Sequence, residues 1–261
     1  MAKDSVFRKF LSKNSITPVN YLPLVHGSEA YLLKKSLKDG RLKTSVCDVF
    51  KPDELLYFFV GRPAYKKEAV SEGEYWELPS CILFDFEVSG AKRVFPFDTG
   101  AFHAKRYPSY INMMEMSDYE IDSSESEIKR AIGAFFGSSR DYYRLNPRSQ
   151  EMFESLHDVG ATDEEIHALH RLIKHRSKRS DDRRFSIEVQ FAEAFEFTRR
   201  KPIFAVFPEI YLDSEIFMGW IKKYDVLLET YPYYPLRGDY YYSAIYEKID
   251  KFYRENGYYE V

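Results

Sequence analysis

The chain has 261 residues, 44% hydrophobic and 30% charged, with a formal net charge of −3. That balance excludes a disordered or fibrous chain and leaves no global basic field, so any contact with nucleic acid has to come from a local patch. Two cysteines, Cys47 and Cys81, are too few for a disulfide framework, and no stretch approaches the roughly 20 apolar residues that span a bilayer.

Residues 1–20 show no apolar signal-like core, so a soluble protein in a reducing cytoplasm is expected. Residues 21–27 read as a short apolar strand that ends at a polar turn. Ser28 is placed to cap a helix from Glu29 to Asp39, with Ala30, Leu33 and Leu37 on one face and Gly40 as its stop. The aromatic run 55–60 is a strand that ends at Gly61 and Pro63. Ile82 to Val88 and Arg93 to Phe97 are further strands, the second followed by a turn at Asp98-Thr99-Gly100.

From about 118 to 182 the pattern turns helical. Glu127 to Phe136, Gln150 to His157 and Asp163 to His175 are periodic, the last with Thr162 as cap and Glu165 in a capping-box position. Strands return at Phe185 to Phe191, Pro202 to Phe207 and Val226 to Thr230, with a helix at Ser214 to Lys223 between them. A Tyr-rich tail from Tyr231 carries a last helix from Ser243 to Glu255. The order strands, helices, strands predicts one mixed α+β domain over 1–261 with a helical insertion.

Three segments carry candidate chemistry. His26-Gly27-Ser28 stands at a strand end, where a histidine can donate to a ribose hydroxyl and a glycine offers an unhindered N–H and C=O to an amide. Tyr57 and Tyr65 flank a turn and can sandwich a flat ring. Glu188 is an isolated carboxylate among Phe185, Ile187, Val189 and Phe191. Period-2 alternation puts it on one polar face with Ser186 and Gln190.

In this order the segments resemble the H-Y-E class of ADP-ribosyltransferases, which includes the poly-ADP-ribose polymerases. The resemblance implies an ADP-ribosyltransferase-like fold with a mainly antiparallel, split sheet. It implies an enzyme with NAD as co-substrate and no metal. His26, Gly27 and Ser28 would bind NAD, Tyr57 and Tyr65 would stack on nicotinamide, and Glu188 would be catalytic together with His26. ADP-ribose would pass to a macromolecular acceptor, protein or nucleic acid. A stand-alone core of this class fits a toxin or defence effector.

Other readings compete. Glu188 with an upstream acid such as Asp85 could hold a metal in a nuclease. The tail after Tyr231 could be a non-catalytic binding surface. The basic run Lys174 to Arg184 is a hint of phosphate contact. His167, His170 and His175 share one helix, where a solvated polar face is the expected role.

Overall fold

The computed structural model describes residues 5–14, 19–64, 74–175, 183–234 and 239–260. In chain order they begin with α1 (Val6–Lys13), β1 (Leu24–Glu29), α2 (Ala30–Asp39), β2 (Arg41–Leu42), β3 (Ser45–Val46) and β4 (Glu54–Val60). Next come β5 (Pro79–Phe84), β6 (Arg93–Phe95), α3 (Thr99–His103) and α4 (Ser109–Asn112). The helical stretch is α5 (Glu125–Phe135), α6 (Ser139–Tyr143), α7 (Gln150–Leu156) and α8 (Glu164–Lys174). Then follow β7 (Glu188–Phe191), β8 (Phe195–Glu196), β9 (Pro202–Pro208), α9 (Glu215–Tyr224), β10 (Leu227–Tyr231) and α10 (Asp239–Glu255). Single 3₁₀ turns occupy Tyr75–Glu77, Met116–Tyr119 and Glu209–Asp213. The class is mixed α+β with mainly antiparallel pairing. Among the described residues no helix is long and apolar enough to cross a membrane.

Most expected elements form, with boundaries moved for identifiable reasons. Ser28 belongs to β1 opposite Ser80, and Glu29 takes the N-cap position of α2. Gly40 does end α2: it adopts φ 71°, and its N–H reaches back to Leu37 and Ser36, a left-handed stop that suits glycine. The strand expected at Ile82 to Val88 ends at Phe84, so Asp85 and Glu87 lie outside it. Asp98-Thr99-Gly100 is no simple turn but the start of α3, because the Asp98 carboxylate accepts from the Ala101 N–H at 2.5 Å. Asp163, not Thr162, takes the N-cap position of α8, without a side-chain capping bond. The last helix starts four residues earlier than Ser243, at Asp239.

The chain divides into two compact units, one of Met1–Leu22, Glu87–Gln190 and Gly257–Val261 and the other of Pro23–Phe86 and Phe191–Asn256. The helices of the expected insertion fall in the first. In the second, strands run β10-β9-β5-β1-β4, and β3 pairs with the start of β4 through Ser45–Leu55 and Val46–Glu54. Only β9–β10 is parallel among these pairs. β5 is buried along its whole length, and a continuous apolar run such as Cys81-Ile82-Leu83-Phe84 marks a strand covered on both faces. Phe204 stacks on Phe252 of α10 at 4.4 Å, and Phe207 meets Phe217 of α9 at 4.5 Å.

The first unit packs α1, α5, α7 and α8 around aromatic rings. Phe135 lies 4.9 Å from Phe153 and 5.2 Å from Phe185. Two histidines share this core. His170 stacks on Phe153 at 4.5 Å with Nε2 on the Arg148 carbonyl, and His157 meets the same ring at 5.0 Å with Nε2 on the Ala134 carbonyl. His170 therefore serves packing rather than a solvated face, which corrects the expectation for its helix. Burial holds both imidazoles below their ordinary protonation range. The unfolded chain binds those protons more readily, so their contribution is present above about pH 6.5 and lost as pH falls below it. Thermal unfolding followed across that range should show the loss, and His170→Phe should reduce it.

Candidate functional site

Strand β1 is paired with β5 along its whole length, from Leu24–Phe84 to Glu29–Pro79. Its other edge differs. The β1–β4 ladder pairs Leu24 with Val60 and Val25 with Phe59, and goes no further. In an antiparallel strand the N–H and C=O of one residue address one neighbour, and those of the next residue address the other. The Gly61 N–H donates to the Pro23 carbonyl at 2.8 Å, so odd positions of β1 address β4. The Ala30 N–H donates to the Leu78 carbonyl at 2.9 Å, so even positions address β5. Gly27 therefore turns its N–H and C=O to the β4 edge, at a point where that ladder has already ended.

The interruption has a residue behind it. A continued register would oppose Gly27 to Tyr57 and join them by two backbone hydrogen bonds. Instead the Tyr57 carbonyl lies 3.0 Å from His26 Nδ1. A carbonyl only accepts, so Nδ1 carries the proton. Burial lowers the His26 pKa, outweighing the carbonyl bond that raises it. The ring is thus neutral and its Nε2 is an acceptor. The expectation had His26 donating; with Nδ1–H committed to the Tyr57 carbonyl, Nε2 can accept a hydrogen bond but not give one.

The His26 ring packs against Phe58 at 5.5 Å, and Phe58 leads to Phe195 at 4.6 Å and Phe84 at 5.7 Å. Alternation puts the Tyr57 side chain on the face opposite Phe58, where its hydroxyl donates to Cys47 Sγ at 2.8 Å. Tyr57 thus meets His26 through its backbone. Ser28 shares the His26 face by the same alternation. Tyr65 lies outside the described residues, as do residues 176–182 of the basic run.

Glu188 belongs to the first unit and opens β7, whose partner is β6 through Phe95–Glu188, Val94–Val189 and Arg93–Gln190. Its carboxylate is 1% exposed and receives three donors. Thr99 Oγ1 and Gln190 Nε2 reach Oε1 at 2.7 and 2.6 Å, and the Thr99 N–H reaches Oε2 at 3.2 Å. Beside it Asp98 Oδ2 accepts from Arg183 Nη1 at 2.6 Å, a pair that is itself buried. Burial and the Asp98 charge push the Glu188 pKa up to about 8, although its three donors pull the other way. Glu188 and Gln190 share a face as expected, but all four residues of β7 are buried and Ser186 lies before the strand.

Asp98, Thr99 and Arg183 build this cluster, and nothing in the sequence reading joined them to Glu188. The available signal was the N-cap preference of aspartate ahead of an apolar helical turn; Arg183 was hidden in the basic run. The same bonds bear on metal binding. The Asp98 and Glu188 oxygens are committed to protein donors, and among the described residues no group of three or more His, Cys, Asp or Glu could hold a metal ion. No family model matches the chain, and neither a curated protein nor a solved structure matches it.

Proposed function

We propose that this protein binds NAD at the open edge of β1 and is an NAD-dependent ADP-ribosyltransferase with an ADP-ribosyltransferase-like fold. The observation that carries the reading is the β1–β4 ladder ending at Val25–Phe59, which leaves the Gly27 N–H and C=O turned to an unladdered edge beside His26. A planar carboxamide such as that of nicotinamide needs one donor and one acceptor side by side, and a glycine backbone supplies both without a side chain in the way. NAD brings the nicotinamide–ribose N-glycosidic bond, whose cleavage frees the ADP-ribosyl group.

The roles of the residues follow from their polarity. Gly27 holds the amide. His26, locked by the Tyr57 carbonyl, accepts from a ribose hydroxyl through Nε2. Ser28 adds a hydroxyl on the same face. Glu188 is the acid that the resemblance assigns to the reaction, and as a carboxylate it would stabilise positive charge developing on the ribose. Incubation with NAD and measurement of released nicotinamide test the reading. Release is expected from the native chain and is expected to be lost in His26→Ala and Glu188→Gln. Absence of release, or release unchanged by both substitutions, would overturn it.

A further inference from the structure

The second unit gathers aromatic rings at one end of its sheet. Strand β1 ends there, β5 begins there, and β9 and β10 both finish there. Tyr75 of the 3₁₀ turn before β5 lies 5.0 Å from Trp76, 6.3 Å from Tyr211 and 6.3 Å from Tyr233. Helix α2 packs against this turn and brings Tyr31 to the same region. Tyr31 is 53% and Trp76 42% exposed. These two rings stand open to solvent, while Tyr75 is half-buried and Tyr211 only 4% exposed beneath them, and exposed rings of this size mark an interaction site.

The charges around the patch say which partner it suits. Glu74 and Glu77 flank Tyr75 and Trp76, and Glu209 and Asp213 bound the turn that carries Tyr211. All four are exposed, and none has an ion pair among the described residues. Phosphates would be repelled by these carboxylates, whereas a guanidinium or ammonium group gains from both carboxylate and ring face. The patch already holds one such contact internally, because Lys34 Nζ stands 5.7 Å over the Tyr211 ring.

We propose that this surface, presented by the exposed rings of Tyr31 and Trp76 with Tyr75 beneath them and bordered by Glu77 and Glu209, docks a basic polypeptide segment through its Arg or Lys side chains. The exposed ring faces supply cation–π contacts and apolar area, and the exposed carboxylates supply steering and orientation. The site belongs wholly to the second unit and requires neither NAD nor catalysis.

Trp76 reports on its own surface, since the other tryptophan, Trp220, is only 4% exposed. Titrating the full chain with a short Arg-Gly repeat peptide should change Trp76 emission saturably, and added salt should weaken the effect. Trp76→Phe should erase the signal while an anisotropy readout on a labelled peptide still detects binding. Glu77→Gln with Glu209→Gln should weaken binding about tenfold by that readout. These are surface substitutions and should leave the far-UV spectrum unchanged. A Glu-Gly repeat peptide and single-stranded RNA are the competing probes. The proposal fails if the Arg-Gly peptide gives no saturable change, if either competing probe binds as well, or if the double substitution leaves its affinity unaltered.

Discussion

Glu188→Ala is expected to destabilise the first unit by about 3 kcal/mol, because it takes the acceptor from donors on Thr99 and Gln190, both fully buried. Removing one partner from a buried polar cluster costs more than the cluster gained by forming, so the loss should be visible as a lower unfolding midpoint. Glu188→Gln keeps the shape and one acceptor oxygen. It should fold with a smaller penalty, on the order of 1 kcal/mol. That variant separates structure from chemistry. If the carboxylate acts on the ribose, Glu188→Gln should lower nicotinamide release about a hundredfold or more while the protein stays folded.

The same residue sets an expected pH dependence. Its proton is held more tightly in the folded chain than in the unfolded one, so its stabilising share is complete in acid and is lost as pH rises through about 8. Activity should move the opposite way, climbing towards pH 8 as the carboxylate ionises. Nicotinamide release measured alongside unfolding midpoints over that range checks both limbs. The Asp98 charge contributes to the upward shift, and Asp98→Asn should draw the rise in activity to lower pH.

The second large effect is expected at His26. His26→Ala should lower the apparent second-order rate constant for NAD by about a hundredfold, since it removes an oriented acceptor from the binding edge. Stability should change by less than about 1 kcal/mol. The reason lies in what the imidazole blocks. With His26 gone, the Tyr57 carbonyl becomes available to the Gly27 N–H, and the ladder can extend by one pair. A lost side-chain bond is then offset by a gained backbone bond. His26→Ala should therefore be folded, inactive and closed at Gly27, and slower amide exchange at Gly27 is the signature to measure.

How far the sequence discloses this protein differs between the two regions. The strand that carries His26, the helix behind it and the glycine stop at Gly40 are legible, because apolar periodicity and a left-handed terminus are local properties. The polarity of His26 is not, since it depends on the Tyr57 carbonyl across a ladder whose end no local pattern announces. Glu188 stands out as an acid among apolar residues. Its saturation by Thr99 and Gln190 is hidden, because Thr99 reaches it from far along the chain and reads alone as part of a turn. Asp85 was the upstream acid of the nuclease reading, on a strand expected to run to Val88. The strand stops at Phe84, which places Asp85 in the segment after it, a boundary that no local pattern announces.

The central claim concerns the edge at Gly27, and the Gly27 amide itself reports on it most directly. With isotope-labelled protein, titration with NAD should shift the Gly27 and Tyr57 backbone amide resonances saturably, nicotinamide alone should shift the Gly27 amide in the same direction, and His26→Ala should abolish both shifts. Saturable NAD binding that leaves the Gly27 amide unmoved, or no binding at all, would contradict the account.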